Sequence, residues 1–296
     1  MIEQALYEHL QEQDALRPYL AEYGGKMAIF NQEAPADVDE AWGEGPQYGR
    51  IVFAVDLQGD PERTMGGRLA LDILCKEDEQ FPEEIEPILR ALIHGYFFCR
   101  QKFVVSAQWK DSLPFNEPEN GITGCRVTFD LLAFPISTYA PDVVAQFNEW
   151  SSTIKDLHII NHDPLPTAAW KPCKGQSAVY WRVAKEEQCR WIPSTFSTVW
   201  MAATVKGYIF SETPAKAAEV ANNLMIRLYA DKRLKKDGKL LRAGESPIMV
   251  NNKNTVDNGA DPLRTGQLTV EATYGVIVHF EPDPEQVGVI NHFHYR

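Results

Sequence analysis

The sequence lacks the long apolar runs and short motifs that mark membrane proteins and several enzyme classes. No stretch approaches the roughly 18 apolar residues of a membrane-spanning helix, and Met1 to Leu10 has the pattern of an amphipathic helix and not of a signal peptide. The motifs G-x-S-x-G, G-x-x-x-x-G-K-[ST] and G-x-G-x-x-G are all missing. We therefore expect a soluble protein with no cofactor and no enzymatic activity.

Cysteine is scarce, and nothing in its spacing indicates a disulfide framework. The chain has five cysteines, an odd number, with no C-x-x-C pair among them. This usage predicts a reduced, intracellular setting. The cysteines are Cys75, Cys99, Cys125, Cys173 and Cys189.

Positive charge is also in short supply. The chain has 29 basic and 41 acidic residues, a net charge of −12, which disfavours a general role in gripping nucleic-acid phosphates. Acidic residues cluster over 33–44 and 77–86, and the simplest interpretation of each cluster is a solvated face. Glu83 and Glu84 have a further structural use, because carboxylates in a first helical turn complement the positive end of the helix dipole.

The strongest metal candidate is His158 with His162, four positions apart and followed by Asp163. No Glu follows His158 as in H-E-x-x-H, and Pro164 ends any helix at this point. The pair His292 and His294 is weaker still. We interpret these as surface or connector histidines and predict no metal site.

Two segments of the chain share one hydrophobic pattern. From Pro82 to Phe98 and from Pro214 to Tyr229, apolar residues recur at the spacing of one helical face, and each lies 132 positions beyond its counterpart, as Pro214 does beyond Pro82. An alternating strand pattern precedes each helix. The aligned strand residues are Leu69, Leu71 and Ile73 in the first segment and Met201, Ala203 and Val205 in the second.

The match continues beyond the helices. A loop rich in Asn, Pro and Gly follows each, over 110–124 and 251–266, and each leads into an alternating strand. Those strands begin at Val127 and Leu268, an offset of 141, so the second segment has nine more residues between helix and last strand. The sequence thus predicts an internal duplication.

The predicted fold class is α+β, with two tandem, duplicated domains, each an antiparallel sheet with a helix packed on one face. The first domain covers 1–136. A helical, proline-containing connector covers 137–176, and the second, diverged copy covers 177–296 with a C-terminal tail. Within the first domain, helices are expected over 2–13 and 15–23, ending at Gly24 and Gly25.

The order of features over residues 1–136 resembles the phage tail terminator, or tail completion, proteins. The resemblance rests on an N-terminal helix from Ile2 to Leu10, a strand at Ala28 to Phe30, a strand from Tyr48 to Val52, and the later helix and strands. It implies a small α+β fold that forms six-membered rings on the head-proximal end of a tail tube, with no catalytic residues. The second copy is a departure from the family pattern, and it leaves a hexamer or a trimer of double domains open.

The resemblance implies partners and a location as well. The expected partners are further copies of this chain, the tail tube protein, and a head-completion, neck or connector protein. DNA passes through the lumen as cargo, and we expect acidic residues to line part of that lumen so that DNA slides without sticking. The expected location is the virion, with assembly in the host bacterial cytoplasm.

Two charged segments are the predicted partner contacts. The first is the polar connection between two predicted strands, and the second is a basic run placed where the second copy is longer. For the basic run, a solvated loop and docking onto an acidic partner or DNA remain open. The candidate residues are Asp60, Glu62, Arg63, Met65, Lys232, Arg233, Lys235, Lys236, Lys239 and Arg242.

Two alternatives remain open at this stage. One is another neck component, such as a head-closure protein, or a tube protein. The other is a ligand-binding or metal enzyme with its site between the two halves, because clefts favour domain interfaces.

Overall fold

The chain is an α+β protein, built mainly from antiparallel sheets with helices packed on them. The computed structural model describes residues 2–58, 66–77, 79, 81–100, 103–135, 143–195, 197–234, 248–250, 255–256 and 266–277. Within these ranges the strands form two large sheets, called here the first and second sheet, and one small hairpin.

The first sheet and its helices come from the N-terminal half. Its elements are α1 (Ile2–Gln11), β1 (Glu22–Tyr23), β2 (Lys26–Met27), β3 (Ile29–Asn31), β4 (Arg50–Gln58), β5 (Gly66–Lys76), α2 (Pro82–Ile93), β6 (Phe97–Arg100), β7 (Phe103–Glu117) and β8 (Ile122–Pro135). The alternation predicted for β5 is confirmed, because Leu69, Leu71 and Ile73 are all buried. Apolar residues of α1 and α2 complete this core.

The second sheet comes from the rest of the chain. Its elements are α3 (Val143–Ser152), β9 (Leu157–Ile159), β11 (Ser177–Gln188), β12 (Thr198–Ser211), α4 (Pro214–Asp231), β13 (Arg233–Leu234), β14 (Ile248–Val250), β15 (Thr255–Val256) and β16 (Leu268–Ile277), while β10 (Ala169–Trp170) joins the first sheet. The predicted start of α4 is confirmed, because the Thr213 hydroxyl accepts a hydrogen bond from the Lys216 N–H at 3.2 Å.

Both sheets place corresponding elements in the same order. The first runs β10-β6-β7-β8-β5-β4-β3, and the second runs β13-β14-β16-β12-β11-β9 with β15 also paired to β16. Each sheet has one parallel pair at one edge, β3 with β4 and β9 with β11. The next neighbours are antiparallel, β4-β5-β8 in the first sheet and β11-β12-β16 in the second. Helix α2 links β5 to β6, next to the edge strand β10 of the first sheet, and helix α4 links β12 to the edge strand β13 of the second.

The sheets pack on each other through a small core, called here the inter-sheet core. Each contributes aromatic side chains from the face that its helices leave open, and the closest ring pairs are Phe134 with Tyr180, at 4.9 Å between centroids, and Phe97 with Phe210, at 5.0 Å. The buried members are Phe97, Val104, Leu132, Phe134, Ile160, Ala178, Tyr180, Tyr208 and Phe210. A cleft between the halves, where the enzyme alternative expects its site, is filled by side chains at this point.

The stretch predicted as a connector contributes strands to both sheets. Its helix α3 and strand β9 pack in the second core. Its short strand β10 turns back to the first sheet, where Ala169 and Trp170 pair with β6. The Asn161 side-chain amide also donates a hydrogen bond to the Phe134 carbonyl.

Three local expectations are wrong. Residues 15–20 form turns instead of a helix, and Glu22–Tyr23 belongs to a hairpin whose Gly24 and Gly25 have φ of +57° and +77°. Helix α2 ends at Ile93, well before Phe98. The predicted loop over 110–124 is instead mostly strand, because β7 pairs with β8 as far as Glu117.

Candidate assembly interface

The outer edge of β3 carries backbone groups that no strand in the described ranges satisfies. The Ala28 carbonyl accepts from the Ile51 N–H at 2.9 Å, and the Gln32 N–H donates to the Phe53 carbonyl at 2.8 Å. Successive residues of a strand direct their hydrogen-bonding groups to opposite sides. Ile29 and Asn31 therefore face away from β4, and only the Asn31 carbonyl has a partner in the described ranges, the Glu33 N–H at 2.9 Å.

A groove runs beside this edge, called here the β3 groove. Its volume is about 830 Å³, and its walls are α1, the β1–β2 hairpin and the residues that follow β3. Aromatic rings of Tyr7, Tyr23 and Phe30 line it, together with the carboxylates of Glu3 and Glu33. Lys26 lies over the Tyr7 ring at 5.9 Å. The groove is thus amphipathic and borders unpaired backbone.

One residue at the edge of the second sheet, Ile159 of β9, is capped by its own chain. The Ile159 N–H donates to the Asp163 carboxylate at 2.8 Å, and the Ile159 carbonyl accepts from the Asp163 N–H at 2.9 Å. These bonds give Asp163 a local capping role. Asp163 belongs to the metal candidate considered above, together with His158 and His162. In the described part of the chain, no three His, Cys, Asp or Glu side chains are placed to hold a metal ion.

The long β7–β8 hairpin exposes another strand edge, and proline blunts it. Strand β6 pairs only with Phe103–Ser106, so the stretch 111–117 has β8 as its one strand neighbour within the described ranges. Pro114 lies in this stretch and has no N–H to offer an added strand. Leu113, 59% exposed, leaves an apolar side chain beside it.

The structure describes two of the ten residues predicted as partner contacts. Lys232 ends α4 with a φ of +54°, and Arg233 is exposed in β13, so the start of the basic run lies on the surface. The other eight lie outside the described residues: Asp60, Glu62, Arg63, Met65, Lys235, Lys236, Lys239 and Arg242. The residues of the β3 groove were not among the candidates, because an unpaired strand edge is defined by its neighbours in space.

The acidic cluster over 33–44 is largely exposed, and two of its carboxylates have structural roles. Asp39 accepts a hydrogen bond from the Ala41 N–H at 2.9 Å and caps the short 3-10 helix Glu40–Trp42. Asp37 accepts hydrogen bonds from Arg50 at 2.8 Å and from the Tyr48 hydroxyl at 3.0 Å. Burial alone would raise the pKa of Asp37, but these two bonds outweigh it and hold the pKa below its usual value. Glu33 and Glu40 are exposed in the same loop and leave a negative surface beside the β3 groove.

Two thiols in the first core are poor nucleophiles. Burial raises the pKa of both Cys75 and Cys125 to about 11, so both stay protonated at neutral pH. Both side chains are buried and free of disulfide bonds, and we assign them to packing.

Buried His9 ties α1 to α2 and predicts a pH dependence of stability. Its Nε2 lies 2.8 Å from the Leu92 carbonyl, and burial lowers the pKa of His9 below 6.5. The unfolded chain therefore binds this proton more readily, so the contribution of His9 is present above about pH 6.5 and is lost as pH falls. We expect the free energy of unfolding, from urea titrations at roughly pH 7, 6 and 5, to fall less steeply in His9→Gln than in the native chain. Equal slopes would contradict the assignment.

Two comparisons with known proteins gave no match. No protein-family model matches this chain, and a search of curated proteins found no match. Among the described residues, no helix has both the length and the apolar character needed to cross a membrane.

Proposed function

We propose that this chain is a structural virion protein that forms a ring at the head-proximal end of a phage, or prophage-derived, tail tube. In this role it caps the tube and joins it to the head or neck. Its partners are further copies of itself, the tube protein and a head-completion or connector protein. DNA passes through the lumen as cargo.

The observation that carries the proposal is the shared strand order of the two sheets. Each unit has a helix before a parallel strand pair, continues with antiparallel neighbours, and uses a helix beginning at Pro82 or Pro214 to cross to the other side of its sheet. This order agrees with the pattern that suggested a duplicated tail-terminator domain. A chain with two such units supplies two positions in one ring, or one position with an added domain.

The edges of the sheets also favour an assembly role. Strands that end a sheet are common sites for pairing with another chain, and proteins usually blunt them. Here Asp163 caps Ile159 of β9 and Pro114 lies in the exposed part of β7, while the N–H of exposed Asn31 in β3 faces away from β4 without a partner in the described ranges.

The acidic loop supports the idea of a surface that repels DNA. Glu33, Glu40 and Glu44 are exposed, and like charges on a channel wall and on DNA prevent adhesion. Changing these three carboxylates to amides is expected to slow DNA ejection from assembled particles, and unchanged ejection would contradict a lumen position.

The mass of the purified protein tests the ring directly. We expect light scattering after gel filtration to give six times the chain mass of 33.5 kDa, or three times if both units occupy ring positions. Negative-stain images of the same peak are expected to show a closed ring with a central hole. If the ring forms only on its tube, the tube protein added to the sample restores it. A monomer or dimer both alone and with tubes would contradict the proposal.

A further inference from the structure

Val38 is the most exposed large apolar residue among those that the structure describes, at 91%. A short turn holds it in place, because the Asp39 N–H donates to the Ala36 carbonyl at 3.0 Å and the Trp42 indole N–H donates to the same carbonyl at 3.1 Å. Trp42 is buried and packs on Tyr23. The turn therefore presents Val38 as a preorganised apolar knob, called here the Val38 knob, and preorganised groups lose little entropy on binding.

The Val38 knob is surrounded by negative charge. Lys26 and Arg50 are consecutive basic residues of the sequence, and five acidic residues lie between them. Arg50 is bonded to Asp37 at 2.8 Å, whereas Asp39, next to Val38, has no ion pair with a cation in the described ranges. A surface that fits the knob must therefore combine an apolar pocket with free positive charge.

A pocket in the second half of the chain, called here the α4 pocket, has the apolar part. It lies between α4 and the turn that joins α3 to β9, and its volume is about 280 Å³. An apolar cavity of about 150 Å³ already holds a benzene molecule, so the α4 pocket has room for a valine side chain and part of its turn. Its apolar lining belongs to the second core or packs against it, and consists of Ile154, Leu157, Val220 and Leu224.

The α4 pocket also has the positive charge. Its charged lining residues are three cations and one carboxylate, namely Lys155, Lys216, Arg227 and Asp156. Lys216 is bonded to Glu219 at 2.9 Å, so this cation is already paired. Lys155 and Arg227 lie 4.0 and 3.9 Å from the nearest described carboxylates, too far for a hydrogen bond. Two cations therefore keep N–H donors for an added carboxylate.

We propose that Val38 of one copy inserts into the α4 pocket of a second copy, with Asp39 beside Lys155 and Arg227. A turn in the first half of one chain then meets a pocket in the second half of its neighbour, so each copy offers one knob and one pocket. A head-to-tail contact of this kind generates a ring when the rotation between copies closes. The inference deepens the proposed function, on which it rests for the closed ring, and uses none of the three carboxylates assigned above to the lumen.

Substitutions of exposed Val38 test the knob. Val38→Lys places a cation against the cations of the pocket, and we expect the full chain to lose its assembled species by light scattering. Val38→Ala removes two methyl groups, and the association constant is expected to fall about tenfold. Leu113→Lys makes the same charge change at another exposed apolar residue and is expected to assemble as the native chain does. Native assembly of Val38→Lys would overturn the proposal.

A mixture of two blocked variants tests the head-to-tail arrangement. Asn223 is exposed in the lining of the α4 pocket, and Asn223→Trp fills the pocket mouth. We expect this variant and Val38→Lys each to be monomeric alone. Each keeps the surface that the other lacks, so an equimolar mixture is expected to give two-chain complexes and nothing larger. A mixture that stays monomeric while the native chain assembles would contradict the arrangement.

Disulfide trapping detects the contact even if the native chain alone does not assemble. In a Cys173→Ser background, which removes an exposed thiol, one protein carries Val38→Cys and a second, with a mass tag, carries Val220→Cys. A disulfide needs Cβ atoms about 4 Å apart, and we expect mild oxidation at high protein concentration to give the mixed two-chain product. Ile226→Cys in place of Val220→Cys is the control, because Ile226 is an exposed residue of α4 outside the pocket lining.

The outcomes separate this contact from the ring. A mixed product no more abundant with Val220→Cys than with Ile226→Cys would overturn the contact. Rings that persist in Val38→Lys would keep the proposed function and overturn this inference. A trapped pair from a protein that shows no rings, alone or with tubes, would support the contact and remove the proposed function.

Discussion

The substitution Phe134→Ala is expected to lower the free energy of unfolding by about 3–5 kcal/mol, the usual cost of removing a buried phenylalanine ring. Phe134 is 1% exposed, and its ring contacts both Tyr180 and Phe210 of the other sheet. Because the inter-sheet core belongs to both sheets, the loss is expected over the whole urea unfolding curve, followed by tryptophan fluorescence and far-ultraviolet circular dichroism.

The chain offers a matched control for this prediction. Phe81 is 57% exposed just before α2, so Phe81→Ala removes the same atoms where they bury little surface. Its effect is expected to stay within about 1 kcal/mol, as for most surface positions. If Phe134→Ala cost no more than Phe81→Ala, the packing of the two sheets described here would be incorrect.

Trp181→Ala is expected to cost a similar amount, about 3–5 kcal/mol, through the core of the second sheet alone. Trp181 is 1% exposed, packs on Phe147 at 4.9 Å between centroids, and donates its indole N–H to the Ser151 hydroxyl at 2.8 Å. The ring also lies against Gly207, where a Cβ would come within 2.7 Å of it. Urea unfolding of the native and substituted chains measures the difference.

Two further variants divide this cost. Trp181→Phe keeps an aromatic ring but leaves the fully buried Ser151 hydroxyl without this donor, an expected loss of about 1–3 kcal/mol. Trp191→Ala removes the same side chain at a position that is 50% exposed, and it is expected to cost much less. A Trp181→Ala cost no larger than that of Trp191→Ala would be inconsistent with a core position.

Long periodic segments of the fold were predictable from the sequence because their residues have two kinds of surroundings. Helices α2 and α4 each turn one apolar face to a core and begin at a proline, whose missing N–H costs nothing at that position. Strand β5 alternates between buried and partly exposed residues along its length. These patterns can be recognised from the residue types alone, and they therefore predict the α+β class.

The β7–β8 hairpin escaped prediction because its outer part lies largely in solvent. Residues 110–117 have little apolar alternation, and Asn, Pro and Gly near the turn are typical of loops. Pairing with β8 and the packing of Phe115 over Gly124 hold the strand despite its composition. The outer part of β7 is a strand because it pairs with β8, and the local propensity of its own residues does not predict that pairing.

The assembly surface was predictable only in part. The charged segments chosen from the sequence lie mostly outside the described residues, and composition alone drew attention to them. The β3 groove depends on which strand ends the sheet, and Ile29–Asn31 is too short to show a period of its own.

The return of β10 to the first sheet has a consequence for how the protein is made. Strand β6 has one neighbour in β7, and its other neighbour is Ala169–Trp170, which is synthesised after α3 and β9. A nascent chain that leaves the ribosome therefore carries an uncovered β6 edge while the start of the second sheet is still being made. Domains usually fold one after another during synthesis. In this protein the last strand of the first sheet, β10, is synthesised after the first elements of the second sheet. The first sheet can therefore be completed only after synthesis of the second has begun.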